Sequence, residues 1–216
     1  MKIRYSIFFL FLLLSCEVAE NTEHSGPDPI NLLHGLTPIT SDSLVNVVIE
    51  IPAGTNQKWE VNKNSGHLEW QKITADSSRV VDYLSYPANY GFVPQTLLSE
   101  ATGGDGDPVD VFVIGEYIQR GQIVTCRIIG MIDMMDSGES DGKLIAVPIP
   151  SHFEKLHTIE DLENYYPGVL EILKIWLSNY KGPGKVEVLS VQNNLPANIY
   201  LKEAIMGYIQ KNEVEK

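Results

Sequence analysis

The chain has 216 residues, 44% of them hydrophobic and 20% charged, which suits one globular domain with extensions. Its formal net charge is -12 and its pI is near 4.8, so it lacks the basic footprint of a nucleic-acid binder, and no nucleic-acid partner is expected. The same charge would repel a polyanionic ligand unless bound divalent cations inverted the local sign.

The N-terminus reads as an address. Lys2 and Arg4 form a basic start, Ile7 to Leu14 is an unbroken apolar run, and Ser15 and Cys16 follow at once. This is the layout of a secretory signal, and its apolar run is too short to span a bilayer, which takes about 20 residues. Leu13-Leu14-Ser15-Cys16 resembles the lipobox of bacterial lipoproteins. That resemblance implies cleavage before Cys16, lipid attachment at Cys16, and an extracytoplasmic protein (a periplasmic lipoprotein) held at the membrane by an N-terminal lipid anchor. An ordinary cleaved signal, or a mis-assigned start upstream of a cytosolic protein, are the bland alternatives. Residues 17–43 are polar and aperiodic, with a breaker cluster at Gly26-Pro27-Asp28-Pro29. They read as a tether with a short helical turn between Asn31 and His34, leaving 44–216 as the domain.

Strand-like runs dominate first. Residues 45–51 are β-branched and stop at Pro52; 58–62 alternate and lead through Asn64-Ser65-Gly66 into 68–73, a hairpin pattern. Further strands are expected over 109–114, 122–132 and 143–148. Helical pattern comes later. Thr158-Ile159-Glu160-Asp161 reads as a capped helix start. Val169, Leu170, Ile172, Leu173, Trp176 and Leu177 recur at helical spacing up to the stop at Gly182-Pro183-Gly184, and 201–209 suit a second helix. Strands followed by helices predict a mainly β, α+β fold: a small barrel with flanking C-terminal helices.

Two acidic segments carry the chemistry. Asp105, Asp107 and Asp110 fall within six residues, and Gly106 and Pro108 favour an irregular turn that brings them together. Carboxylates so close repel unless cations bind between them, and hard divalent ions, Mg²⁺ above all, prefer such oxygen ligands. A calcium loop of the EF-hand type fits poorly, because Val109 and Asp110 stand where that pattern wants an acid or Asn and then Gly. A solvated acidic turn is the plainer alternative. The second segment, with Asp136, Glu139, Asp141 and then Lys143, reads by itself as an exposed turn, of interest because it could face the first. Cys126 reads as a buried free thiol. His24, His34, His67, His152 and His157 show no ligand-pair spacing, and Trp59, Trp70 and Trp176 read as packing.

These motifs resemble those of the soluble family I inorganic pyrophosphatases. Asp105-Gly106-Asp107-Pro108-Val109-Asp110-Val111 matches the family signature, and Val48-Ile49-Glu50-Ile51-Pro52, Lys58-Trp59-Glu60, Tyr86-Pro87-Ala88-Asn89-Tyr90-Gly91, the spacing of Asp136, Asp141 and Lys143, and Asn179-Tyr180-Lys181 follow in the family's order. The resemblance covers roughly 45–190 and implies a five-stranded OB-like closed barrel with helices around it. It implies several Mg²⁺ ions, with Mn²⁺ or Zn²⁺ as substitutes, on Asp105, Asp110, Asp136, Asp141, Glu50 and Glu60. It makes Asp107 the base near the attacking water with Tyr90 beside it, and Lys58, Lys143, Tyr180 and Lys181 the phosphate-binding groups. Bacterial members usually assemble, so a homo-oligomer is compatible.

One departure stands. The family places an Arg on the strand before Tyr-Pro-x-Asn-Tyr. Lys72 sits there in an ungapped reading, whereas Arg79, seven residues before Tyr86, needs an insertion at 74–78. Arg79 is preferred because a guanidinium gives phosphate a planar bidentate fork. The function implied is hydrolysis of pyrophosphate to two phosphates. The alternatives are a catalytically inactive metal- or phosphate-binding lipoprotein of the same fold, and a Mg²⁺-dependent hydrolase of another phosphoanhydride.

Overall fold

The computed structural model describes residues 30–99 and 103–214, so the signal-like segment and Cys16 lie outside the described residues. Its main sheet has the order β1 (Val45–Ile51), β6 (Asn89–Phe92), β7 (Asp110–Val113), β10 (Lys143–Pro148), β8 (Ile123–Asp136) and β11 (Val186–Asn193), with β9 (Glu139–Ser140) on β8. All pairings are antiparallel except β7 with β10. The 14-residue β8 is long enough to pair β1 at its start, β10 through its middle, and β11 and β9 at its end.

Both faces of the central strands are buried, and their period of two sorts side chains between two cores. Phe112 of β7 and Ile145 of β10 join Trp176, Leu173 and Leu177 of α2 (Val169–Asn179). Val111 and Val113, with Leu144 and Ala146, join Ala197, Leu201 and Ala204 of α3 (Asn194–Val214). The capping box expected at Thr158 is present: its hydroxyl accepts from Asp161 N, and Asp161 accepts in return from Thr158 N, starting α1 (Ile159–Tyr165).

A separate two-stranded sheet, β2 (Trp59–Val61) with β3 (Leu68–Trp70), follows β1, then a shorter hairpin of β4 (Lys72–Thr74) and β5 (Ser77–Ser78). The single strand expected over 68–73 is thus broken at Gln71. Strand β11 has no counterpart among the expected elements: Glu187, Leu189 and Ser190 are exposed, so the run shows neither alternation nor a continuous apolar block. Helix α3 extends well beyond 201–209. Exposed Leu195, Ile199 and Met206 lie opposite buried Ala197, Leu201 and Ala204, so the two apolar stripes blur its periodicity.

Residues 30–43, read as the end of the tether, pack on the domain. The Asn31 side chain accepts from the N–H groups of Leu33 and His34, closing the expected helical turn. Leu33 is buried against Val48, Val61 and Phe92, and His34 hydrogen-bonds Tyr208 of α3.

Candidate active site

The site is built where β7 and β10 begin. Their parallel register sets Leu144 beside Val111, so the preceding residues, Lys143 and Asp110, also lie side by side. Lys143 Nζ donates to Asp110 Oδ2 and to Asp141 Oδ1, each at 2.5 Å. Lys143 and Asp141 are only 3% and 6% exposed, which decides against the exposed-turn reading for this part of the second acidic segment. The β8–β9 turn, with positive φ at Ser137 and Gly138, folds that segment back, and Ser140 N donates to Gly103 O of the first segment. Glu139, by contrast, is exposed. Asp136, at the end of β8, is paired with Lys181.

The first segment is a curl rather than an extended strand. Gly106 has φ 75°, and the Asp105 carboxylate turns back to accept from Asp107 N at 2.9 Å, an Asx turn. Asp107 is ion-paired with Lys63, whose Nζ also donates to Gly106 O at 3.1 Å. Lys63 comes from the turn of the β2–β3 hairpin and was not singled out from the sequence, because nothing in its own neighbourhood marks it.

Above this curl is a cleft of about 440 Å³, bordered by Glu50, Lys58, Glu60, Lys63, Asp107 and Asp110. Glu50 is buried and accepts the N–H of Val61 at 2.7 Å, tying β1 to the hairpin. The buried Tyr90 ring lies near two ammonium groups, with Lys58 Nζ 5.5 Å and Lys143 Nζ 5.9 Å from its centroid. Gly91, next in line, lets β6 approach β1 closely, since a Cβ there would stand 1.8 Å from Val48 O.

A second depression of about 380 Å³ brings together Arg79, Tyr180, Lys181 and Lys185. Arg79 thus lines one depression with Tyr180 and Lys181, and its guanidinium donates to Gln71 Oε1 at 2.8 Å. Lys72 instead donates to Ser78 Oγ within the exposed β4–β5 hairpin. Tyr180 stacks on Trp176 at 4.5 Å, and Tyr86, Tyr90 and Phe112 continue an aromatic wall.

The electrostatics follow from burial and neighbours. Burial pushes the Glu50 carboxyl up to about 8, with Lys58 opposing and Asp110 adding to the rise. Burial likewise raises Asp105 to about 6, against the pull of its bond from Asp107 N. For Asp110 burial also acts upward, but Lys143 and Lys58 outweigh it and hold the carboxyl below the ordinary range. Asp141 is raised by burial, only partly offset by Lys143. Burial lowers Lys143, but its two carboxylate partners prevail, and it stays charged well above the ordinary lysine value.

Among the described residues no three ligating side chains already converge on one point. The reason is visible: Lys143 sits between Asp110 and Asp141, Lys181 holds Asp136, and Lys63 holds Asp107. The donor set still suits a hard divalent ion. All its members are carboxylate oxygens, and Asp110 and Asp141 already grip one cation, the Lys143 ammonium, from two sides.

A family model described as inorganic pyrophosphatase matches residues 47–209, most of the chain. The chain belongs to the inorganic pyrophosphatase family. Inorganic pyrophosphatases of Campylobacter jejuni and Helicobacter pylori are each 37% identical, over 76% and 78% of this chain and 91% and 92% of their own. Among solved structures, the Helicobacter pylori inorganic pyrophosphatase superposes with a TM-score of 0.68 at 35% identity, covering 80% of this chain and 98% of that one. The type I inorganic pyrophosphatase from Toxoplasma gondii superposes with a TM-score of 0.79 at 25% identity, covering 84% and 88%. The pyrophosphatase match extends through β11 and most of α3, past residue 190 where the motif resemblance stops.

Proposed function

We propose that this pyrophosphatase-family chain is an inorganic diphosphatase, splitting pyrophosphate into two phosphates by direct attack of water. The observation that carries the reading is the buried Asp110–Lys143–Asp141 clasp, whose Asp110 lines the cleft that holds Lys58, together with a second depression lined by Arg79, Tyr180 and Lys181. Asp105, Asp110, Asp136 and Asp141, with Glu50 and Glu60 in the adjoining cleft, would hold Mg²⁺, or Mn²⁺ or Zn²⁺ in its place. Bound divalent cations neutralise phosphate charge and acidify a neighbouring water.

The chain's own groups do the rest. Asp107 takes a proton from the attacking water as its oxygen bonds to one phosphorus, and the bridging P–O bond breaks as the second phosphate leaves. Lys58, Arg79, Lys143, Tyr180 and Lys181 bind the phosphates and stabilise charge as it moves to the leaving oxygen. Tyr90 holds its place beside Asp110 through its hydroxyl. Supplying pyrophosphate in large excess over protein tests this. Release of many phosphates per chain is expected, whereas stoichiometric binding without release would make it a binding protein.

The five strands β1, β6, β7, β10 and β8 are read here as a closed OB-like barrel, supported by the pairing of β1 with both β6 and β8. Cys16 is read as a lipid attachment point that places the enzyme outside the cytoplasm, supported by the order of residues 1–16. No helix among the described residues is long and apolar enough to cross a membrane.

A further inference from the structure

The β2–β3 hairpin carries Lys58 and Glu60 to the cleft, but it forms its own small sheet, so other contacts must fix its position. Arg120, in the connection between β7 and β8, supplies several at once. Its Nε donates to Glu50 O at 2.9 Å, and one of its terminal nitrogens donates to Gln57 Oε1 at 3.4 Å. Its guanidinium lies 4.3 Å from the Trp59 ring centroid, and Gln57 Oε1 also accepts from the Trp59 indole N–H at 3.3 Å.

The contacts continue from there. Trp59 stacks on Trp70, with centroids 6.1 Å apart and planes at 14°. Trp70 Nε1 donates to Arg79 O at 2.8 Å, and the same carbonyl accepts from Lys58 N at 3.0 Å. An unbroken path of packing and hydrogen bonds thus runs from Arg120 through two indoles to the backbone of Lys58 and Arg79, one cation from each depression. The two tryptophans thus lie between the Arg120 guanidinium and the Arg79 carbonyl.

We infer that Arg120 is a positioning residue for pyrophosphate binding, setting the separation of Lys58 and Arg79 through the Trp59–Trp70 stack. The inference rests on the proposed role of those two cations. A guanidinium suits the task because it combines a flat face for an aromatic ring with in-plane donors for Glu50 O and Gln57, which a lysine ammonium cannot do. Misplacing binding groups by a fraction of a group's reach weakens binding without removing any group that touches the substrate.

The test is steady-state kinetics with pyrophosphate at saturating Mg²⁺, with thermal midpoints recorded, on the wild-type protein and on Arg120→Ala, Arg120→Lys, Trp59→Leu and Lys58→Met. Arg120→Ala and Arg120→Lys are both expected to raise KM about tenfold, a misplacement-sized effect, and to leave kcat within about twofold, the signature of lost binding rather than lost chemistry. Trp59→Leu should do the same and should add little to Arg120→Ala in the double variant, since both break one path. If Arg120→Ala does not fold, Trp59→Leu and Arg120→Lys carry the test. Wild-type KM in folded Arg120 or Trp59 variants, while Lys58→Met raises KM, overturns the inference. Unchanged KM in Lys58→Met instead removes the proposed role of Lys58. A lower thermal midpoint with unchanged KM leaves Arg120 a purely structural brace and also overturns it.

Discussion

Lys143 and Asp110 meet Nζ to Oδ2 at 2.5 Å because they stand side by side at the starts of two parallel strands in register. Asp141 closes the group from the β9–β10 connection. A buried cation thus compensates two carboxylates, and removing it should be costly. Lys143→Met is expected to destabilise the metal-free protein by about 3–5 kcal/mol, the usual penalty for orphaning a buried charge. Mg²⁺ should then restore more of the thermal midpoint in the variant than in wild type, because no ammonium competes for the site. Equal Mg²⁺ shifts in the two proteins, measured by thermal unfolding with chelator and with cation, would contradict this.

The raised carboxyls give stability a definite pH dependence. In the unfolded chain Glu50 loses its proton near 4.5, but in the folded protein it keeps it to about 8. Across that window the folded state binds more protons, so metal-free stability falls as pH rises. Asp105, raised to about 6, acts in the same direction. The lowered Asp110 acts oppositely, below the ordinary aspartate range, and so outside this window. Chelated protein should therefore melt at lower temperature at pH 8 than at about pH 5, and Glu50→Gln, which keeps an acceptor for Val61 N, should flatten the slope. A midpoint that rises over this range would refute the assignment.

Arg79 and Lys72 can be separated directly. Arg79 shares its depression with Tyr180 and Lys181, whereas Lys72 is turned to Ser78. Arg79→Ala should raise KM for pyrophosphate roughly 10- to 100-fold, as expected for losing a hydrogen bond between charged groups. Lys72→Ala should leave KM unchanged. The reverse pattern would restore the ungapped alignment.

Much of this architecture was legible in the chain, and the rest was hidden for identifiable reasons. Strands 45–51 and 143–148 emerge with the expected bounds because their β-branched and apolar runs end at Pro52 and Pro148. Helix α2 was marked by buried Leu170, Leu173, Trp176 and Leu177 and by the Gly182 stop. Strand β11 and the length of α3 were obscured because each presents apolar side chains to solvent as well as to the core. At the site, the signature around Asp105 to Asp110 was readable because it is contiguous. Lys63 and Arg120 were not, since each acts on a residue far away in sequence, and only folding brings Lys63 to Asp107 or Arg120 to Trp59.

The proposed anchor has its own consequence. Cys16→Ser should abolish lipid attachment and move the enzyme from the membrane to the soluble fraction with its activity intact. Fractionation that leaves the variant membrane-bound would remove Cys16 from that role.

The central claim is that these carboxylates and cations turn over pyrophosphate with divalent metal. Its most direct measurement is phosphate release from pyrophosphate by the purified protein with Mg²⁺ and then with excess chelator, with Asp107→Asn assayed beside it. The account predicts rapid release that the chelator abolishes, and a folded Asp107→Asn slower by about 10²–10⁴-fold, the worth of a general base. Absence of release by well-folded wild-type protein with Mg²⁺, Mn²⁺ or Zn²⁺ would contradict it.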